Sequence, residues 1–245
     1  MPLSVFVWAV AMVVYHALGL IFELSDRRHW LSRFKRRRGD RRGYFQLLPL
    51  VLLNQCGVML PCMVACQALG LAFVGNPHLG TMRICINLAL LAIGHDIVTY
   101  LVHRWLLHNH HFQWLRHDVH HSTGASKSIS ACFMSPPDFF LEIVCPFLIP
   151  LVLIGGGGSD LTFHLLGAVL APIGGLYEHS GYDFCAPGCA KTTSWSWRGL
   201  KWLPTSLTSS HAHGEHHRRS LVSFSDGFGS PGLCDRLFST RWDLR

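Results

Sequence analysis

The chain is predicted to be all-α: a polytopic integral membrane bundle of helices carrying a histidine-rich, metal-binding cap on its cytosolic side. Three observations lead there. Of 245 residues only 14% are charged and 49% are hydrophobic, a balance that belongs to membrane proteins. Apolar runs long enough to cross a hydrocarbon core of about 30 Å recur along the chain. Seven of the 17 histidines fall within residues 103–122, "HRWLLHNHHFQWLRHDVHHS".

The first run, "MPLSVFVWAVAMVVYHALGLIF", has no charged side chain and is expected to be a retained membrane helix. A cleaved signal peptide would have a basic n-region, a shorter apolar core and a small-residue cleavage site. Next comes "DRRHWLSRFKRRRGDRRG" (26–43), with nine Lys/Arg and two Asp; it carries the whole net charge of +7, the remaining residues being balanced. A short basic loop beside an apolar run marks the cytosolic side and places the N-terminus outside. Attraction to anionic headgroups adds to this. Nucleic-acid binding, the other use of a basic run, is set aside because membrane segments flank the loop on both sides.

From Tyr44 to Met82 no residue carries a formal charge for 39 positions. This predicts a second span at about 45–72, kinked at Pro61, and a turn at "VGNPHLG" (74–80). A third span begins near Ile84 and runs through "ICINLALLAIGHDIVTYLVHRW". Two shorter apolar segments, 139–155 and 161–177, flank "GGGGSD" (155–160) and read as a tight membrane hairpin. Counting crossings from an outside N-terminus brings the basic loop, the 103–121 cluster, His179 and the C-terminal "HAHGEHH" (211–217) to one cytosolic face.

Spacing decides which histidines can share an ion. In "HDVHH", His117, His120 and His121 stand at i, i+3 and i+4 on one helix face, and "HGEHH" repeats the pattern with His213, His216 and His217. His103 and His108 are five apart, about 140° around a continuous helix. Either the helix ends near His108, where "NHH" follows, or His110 or His111 takes its place. Asp96, Tyr100 and His103 share a face at i, i+4 and i+7. An ionisable residue in an apolar helix needs a partner, and Asp96 is expected to accept a ligand histidine's N–H. Eight or nine imidazoles exceed the four ligands of one tetrahedral zinc and suit two ions. Imidazole alone leaves zinc, copper, iron and nickel open, and HExxH is absent. The nine cysteines include no CxxC; "CAPGC" (Cys185, Cys189) is left open between a metal pair, a disulfide and neither. A metal transporter would need a polar path across the membrane, where there is little beyond Asp96 and Glu142. A structural zinc protein would need only one closed site.

In this order "DIVTYLVHRWLLH", "HDVHH", "EHSGYD", "HGEHH" and "CDRLFSTR" resemble the fatty acid hydroxylase/sterol desaturase superfamily of membrane di-iron oxygenases, over about residues 84–242. "EHSGYDF" is most similar to its cholesterol 25-hydroxylase-like members. The resemblance implies metal ligands at His103, His108, His117, His120, His121, His179, His213, His216 and His217. It divides the chain into N-terminal membrane helices (1–80) and a hydroxylase-like catalytic domain (81–245). It further implies two iron ions (zinc being able to take their place in purified protein), O2, a membrane lipid as substrate to be hydroxylated or desaturated, and electrons from cytochrome b5 and its reductase. A eukaryotic member would sit in the endoplasmic reticulum with its metal site facing the cytosol. Cys234 stands where the pattern has Trp, Ser239 where it has Gly, and "SFSDGFG" where an Asn-Tyr/Phe-Gly element is expected. His110, His111 and His211 match no motif position and are expected at the surface or behind the ligands.

Overall fold

The structure is a computed structural model describing residues 1–38, 40–184, 210–219, 227–230 and 232–240. Among these residues every regular element is helical, with one isolated antiparallel bridge between Lys35 and Tyr182. In chain order the helices are α1 (Leu3–Arg28), α2 (Tyr44–Ala68), α3 (Thr81–Leu107), the short α4 (His117–His121), α5 (Pro136–Leu153), α6 (Leu161–His179), α7 (Ser210–Arg219) and α8 (Leu233–Leu237). Of these, α1, α2, α3, α5 and α6 are long and apolar enough to cross a membrane. They match the five predicted runs. The "CAPGC" pair lies outside the described residues.

Helix α1 packs between α2 and α6, and α3 lies along α5. Lipid tails are as apolar as leucine, so outward-facing residues such as Leu90 and Leu170 contribute little to cohesion; close packing and polar contacts must supply it. Gly94 of α3 shows the closeness, since a Cβ there would stand 2.4 Å from Cβ of Pro150 on α5.

Three spans contain a π turn: Gln55–Met59 in α2, His103–Leu107 in α3 and Phe140–Val144 in α5. In α2 and α5 a proline follows two residues later (Pro61, Pro146). Its ring cannot accommodate the carbonyl four residues back, and widening the turn moves that carbonyl aside. At Pro61 the expected kink therefore takes the form of a wide turn.

The two ends of the bundle differ. At one, the glycine turn holds Gly155–Gly158 at φ 85°, 69°, 70° and 61°, a backbone that only glycine adopts freely. It packs on the 69–80 loop, where Ser159 N donates to Asn76 O (3.0 Å) and Leu79 N to Asp160 Oδ2 (2.7 Å). At the other end lie the basic loop, α4, α7 and α8. All histidine-rich segments thus share one end with the basic loop, as the crossing count predicts.

Between α4 and α5 the chain turns inward as a short, buried 3-10 helix (Ser128–Cys132) among α1, α2 and α6. Buried amides and carbonyls need partners, and the helices supply them. Tyr15 OH donates to Ile129 O (2.7 Å) and accepts from Cys132 N (3.1 Å). Asn54 Nδ2 donates to Cys132 O (3.0 Å) and Met134 O (2.8 Å).

Candidate metal centre

The π turn in α3 answers the question posed by His103 and His108. Its closing bond runs from His108 N to His103 O (3.0 Å), and an i to i+5 turn sets residues five apart one above the other. Their rings lie 4.8 Å apart and inclined by 31°. The helix also ends here, His108 being its C-cap. His110 and His111 are exposed and do not substitute.

All nine histidines singled out by the motifs converge into two groups. The first comprises His103, His108, His117, His121 and His216; the second comprises His120, His179, His213 and His217. Within each, the ligand atoms lie within 4.8 Å of one another. In the first, Nε2–Nε2 separations are 3.1 Å (His103–His117), 2.9 Å (His117–His121), 3.1 Å (His103–His216) and 3.2 Å (His108–His216). In the second they are 3.2 Å (His120–His179), 2.9 Å (His179–His213) and 3.0 Å (His213–His217). Two nitrogens bound at a right angle to one ion at 2.0–2.1 Å would be about 3 Å apart, so the spacing fits ligands sharing an ion.

The outward nitrogens support the same fit. Nδ1–H donates from His117 to Asp138 (3.0 Å to each oxygen), from His179 to Gly175 O (3.0 Å), and from His103 to Phe228 O (3.2 Å). His120 and His121 address Phe133 O (3.3 Å) and His217 O (3.4 Å). A ring whose Nδ1 carries the proton presents its Nε2 lone pair inward. Lone pairs crowded this closely repel one another, and a cation among them relieves that repulsion. Burial holds His117, His120, His121, His213 and His217 well below the ordinary imidazole pKa, and neighbouring histidines add to the effect. These rings are therefore neutral at pH 7 and ready to bind metal.

Two carboxylates back the cluster that sequence reasoning did not assign. Asp138 and Glu142 are one turn apart and are the only ionisable carboxyl side chains in α5. Glu142 places an oxygen 3.4 Å from His117 Nδ1, 3.9 Å from His103 Nδ1 and 3.7 Å from His120 Nε2, and so touches both groups. Their i, i+4 isolation in an apolar run was the available signal.

Asp96 corrects an expectation. Its carboxylate does not accept a histidine N–H; it accepts the backbone N–H groups of Gly232, Leu233 (3.1 Å) and Cys234 (2.7 Å) at the start of α8. Tyr100, expected to work beside it, packs on Phe228 and stacks on Phe238, its hydroxyl accepting from Arg104. Both hold the tail, which in turn serves the site. Asp235 accepts from Phe228 N (2.9 Å) and Gly229 N (2.6 Å), and the Phe228 ring lies 5.5–5.8 Å from the rings of His103, His108 and His216, a water-excluding cover. The "GFG" of the divergent "SFSDGFG" supplies that cover. Ser239 has φ 52°, the left-handed region that explains the glycine in the family pattern. Asp96→Asn replaces one accepting oxygen by a donor facing N–H groups. Thermal unfolding in detergent should show a loss of about 1–3 kcal/mol with iron retained; iron loss as complete as in His103→Ala would contradict this tail-anchoring role.

An all-helical bundle of five apolar spans with two adjacent histidine groups at one end defines a membrane metalloprotein of the multi-histidine type. The model of the family described as fatty acid hydroxylase matches residues 88–240, which hold all nine histidines; the chain belongs to that family, and at family level it is a membrane di-iron lipid hydroxylase or desaturase. No curated protein and no solved structure matches the chain.

Proposed function

We propose that the protein is an O2-dependent lipid hydroxylase that inserts oxygen into an unactivated C–H bond of a sterol, fatty acyl or sphingoid substrate. The observation that supports this most is the pairing of a five- and a four-histidine group inside the family domain, at the cap end of the bundle. One ion would be held by His103, His108, His117, His121 and His216, the other by His120, His179, His213 and His217. Iron held there would supply O2 activation and the oxidising power for the C–H bond. The chain itself orients the imidazoles through Asp138, Glu142 and backbone carbonyls, and Phe228 keeps water from one group. An apolar substrate reaches such a site from the bilayer.

Electrons come from a separate donor, cytochrome b5 with its reductase. The exposed Arg27, Arg28, Arg33 and Arg41 beside the cap suit an acidic partner. In a eukaryotic cell the protein resides in the endoplasmic reticulum with the cap in the cytosol. Cysteines introduced at Arg41 and Trp114 should then react with cytosolic reagent, and one at His78 only after permeabilisation; the reverse pattern would contradict the orientation.

The test of function is lipid analysis of host membranes with and without the chain, under isotopically labelled dioxygen. Hydroxylation predicts a labelled alcohol that depends on the chain. An unlabelled alkene in its place would assign desaturation, and no lipid change with iron-loaded, reduced protein would contradict the proposal.

A further inference from the structure

The basic loop does more than mark a side of the membrane. Residues 34–38 and 40–42, which carry no histidine and lie outside the family-matched region, lie as a strap across the cap. Arg36 N and Arg37 N donate to Gly181 O (2.8 and 3.2 Å), and Asp183 N donates to Phe34 O (2.8 Å). Lys35 Nζ reaches Ser126 O (3.0 Å) and Ser180 O (2.7 Å), and Asp40 N donates to Ser126 Oγ (2.9 Å).

At its centre Arg37 turns inward. Its Nε donates to Ala125 O (3.2 Å), and its Nη2 to Glu178 O (3.4 Å) and Ser210 Oγ (2.9 Å). Ala125 follows α4, which carries His120. Glu178 precedes His179. Ser210 opens α7, which carries His213 and His217. One guanidinium thus ties together the three segments that supply the whole four-histidine group. It lies against α7 at Gly214, where a Cβ would stand 1.8 Å from Arg37 Cζ and 1.9 Å from Nη1. The helices α4 and α7 also carry His117, His121 and His216 of the five-histidine group, but that group has further anchors in the π turn of α3, Asp138 and Phe228.

We infer that Arg37 is a positioning residue for the His120–His179–His213–His217 site, setting its ligands at ion-binding distance from outside the family domain. This rests on reading that group as an ion site. A lysine keeps the charge but lacks the planar fork that serves three acceptors at once, and alanine at position 214 puts a methyl group where the guanidinium lies.

The test is an anaerobic titration of metal-free, full-length protein in detergent with Fe(II), followed by Mössbauer spectroscopy. Wild type should bind two equivalents tightly. Arg37→Lys and Gly214→Ala should each keep one tight equivalent, bind the second about 10–100-fold more weakly, and lose the spectroscopic coupling between irons at one equivalent. Arg36→Ala and Arg38→Ala, exposed on the same strap, should behave as wild type. Two equally tight equivalents in both Arg37→Lys and Gly214→Ala would overturn the inference. So would loss of both equivalents together with helical content, which would make the strap a general folding element. A wild type that binds fewer than two equivalents would overturn the ion-site reading itself.

Discussion

Alanine at His120 or at His216 should abolish lipid oxidation. The two residues belong to different groups and are 0% and 1% exposed, so neither imidazole can be replaced by a neighbour without moving the cap. Removing a residue that merely supports a ligand already costs about 10–100-fold; the loss here should exceed the upper figure. Residues that work as a unit are not additive, so each single change should be nearly as severe as the pair. His164 sits at the opposite end of the bundle, its Nε2 at 3.1 Å from Gly158 O, and His164→Ala should retain turnover. The measurement is oxidised lipid per unit of membrane-inserted protein. Normal turnover in both His120→Ala and His216→Ala, with none in His164→Ala, would place the site elsewhere.

Acid should release the metal. His117, His120, His121, His213 and His217 all lie well below the unperturbed 6.5 in the folded chain, first because of burial. The unfolded chain therefore takes up protons first as pH falls. The stability linked to these groups is fully present above about 6.5 and is lost progressively below it, towards their folded-state values. Protons also compete with the ion for the same nitrogens. Metal-free protein should thus show a falling unfolding temperature below pH 6.5, and loaded protein should lose iron on the same side. A metal-free protein that gains stability on acidification through that range would contradict the burial of neutral imidazoles.

Much of this architecture is legible in the sequence because the governing patterns are local. Each membrane span is an uninterrupted apolar run, and each HxxHH block places three imidazoles on one face by helical geometry alone. What escaped is of two kinds. The π turn at His103–Leu107 departs from the 3.6-residue period on which facing was judged, and no proline marks it. The rest consists of contacts between distant segments. Asp96 finds its partners at residues 232–234, where free amides at the start of α8 compete with any histidine for the carboxylate. Arg37 finds its partners at 125, 178 and 210. Phe228 looks like part of a divergent linker until the tail folds back over α3. Spacing within a motif cannot reveal a partner more than a hundred residues away, whereas an isolated acid pair such as Asp138 and Glu142 in an apolar helix can at least be flagged.

Nine histidines, split five and four, are proposed to hold two ions in one chain. Iron content per chain of purified, fully loaded protein, read together with Mössbauer spectroscopy, tests it most directly. Two ion sites require close to two irons per chain with magnetic coupling between them; a saturated value near one, with a mononuclear spectrum, would rule them out.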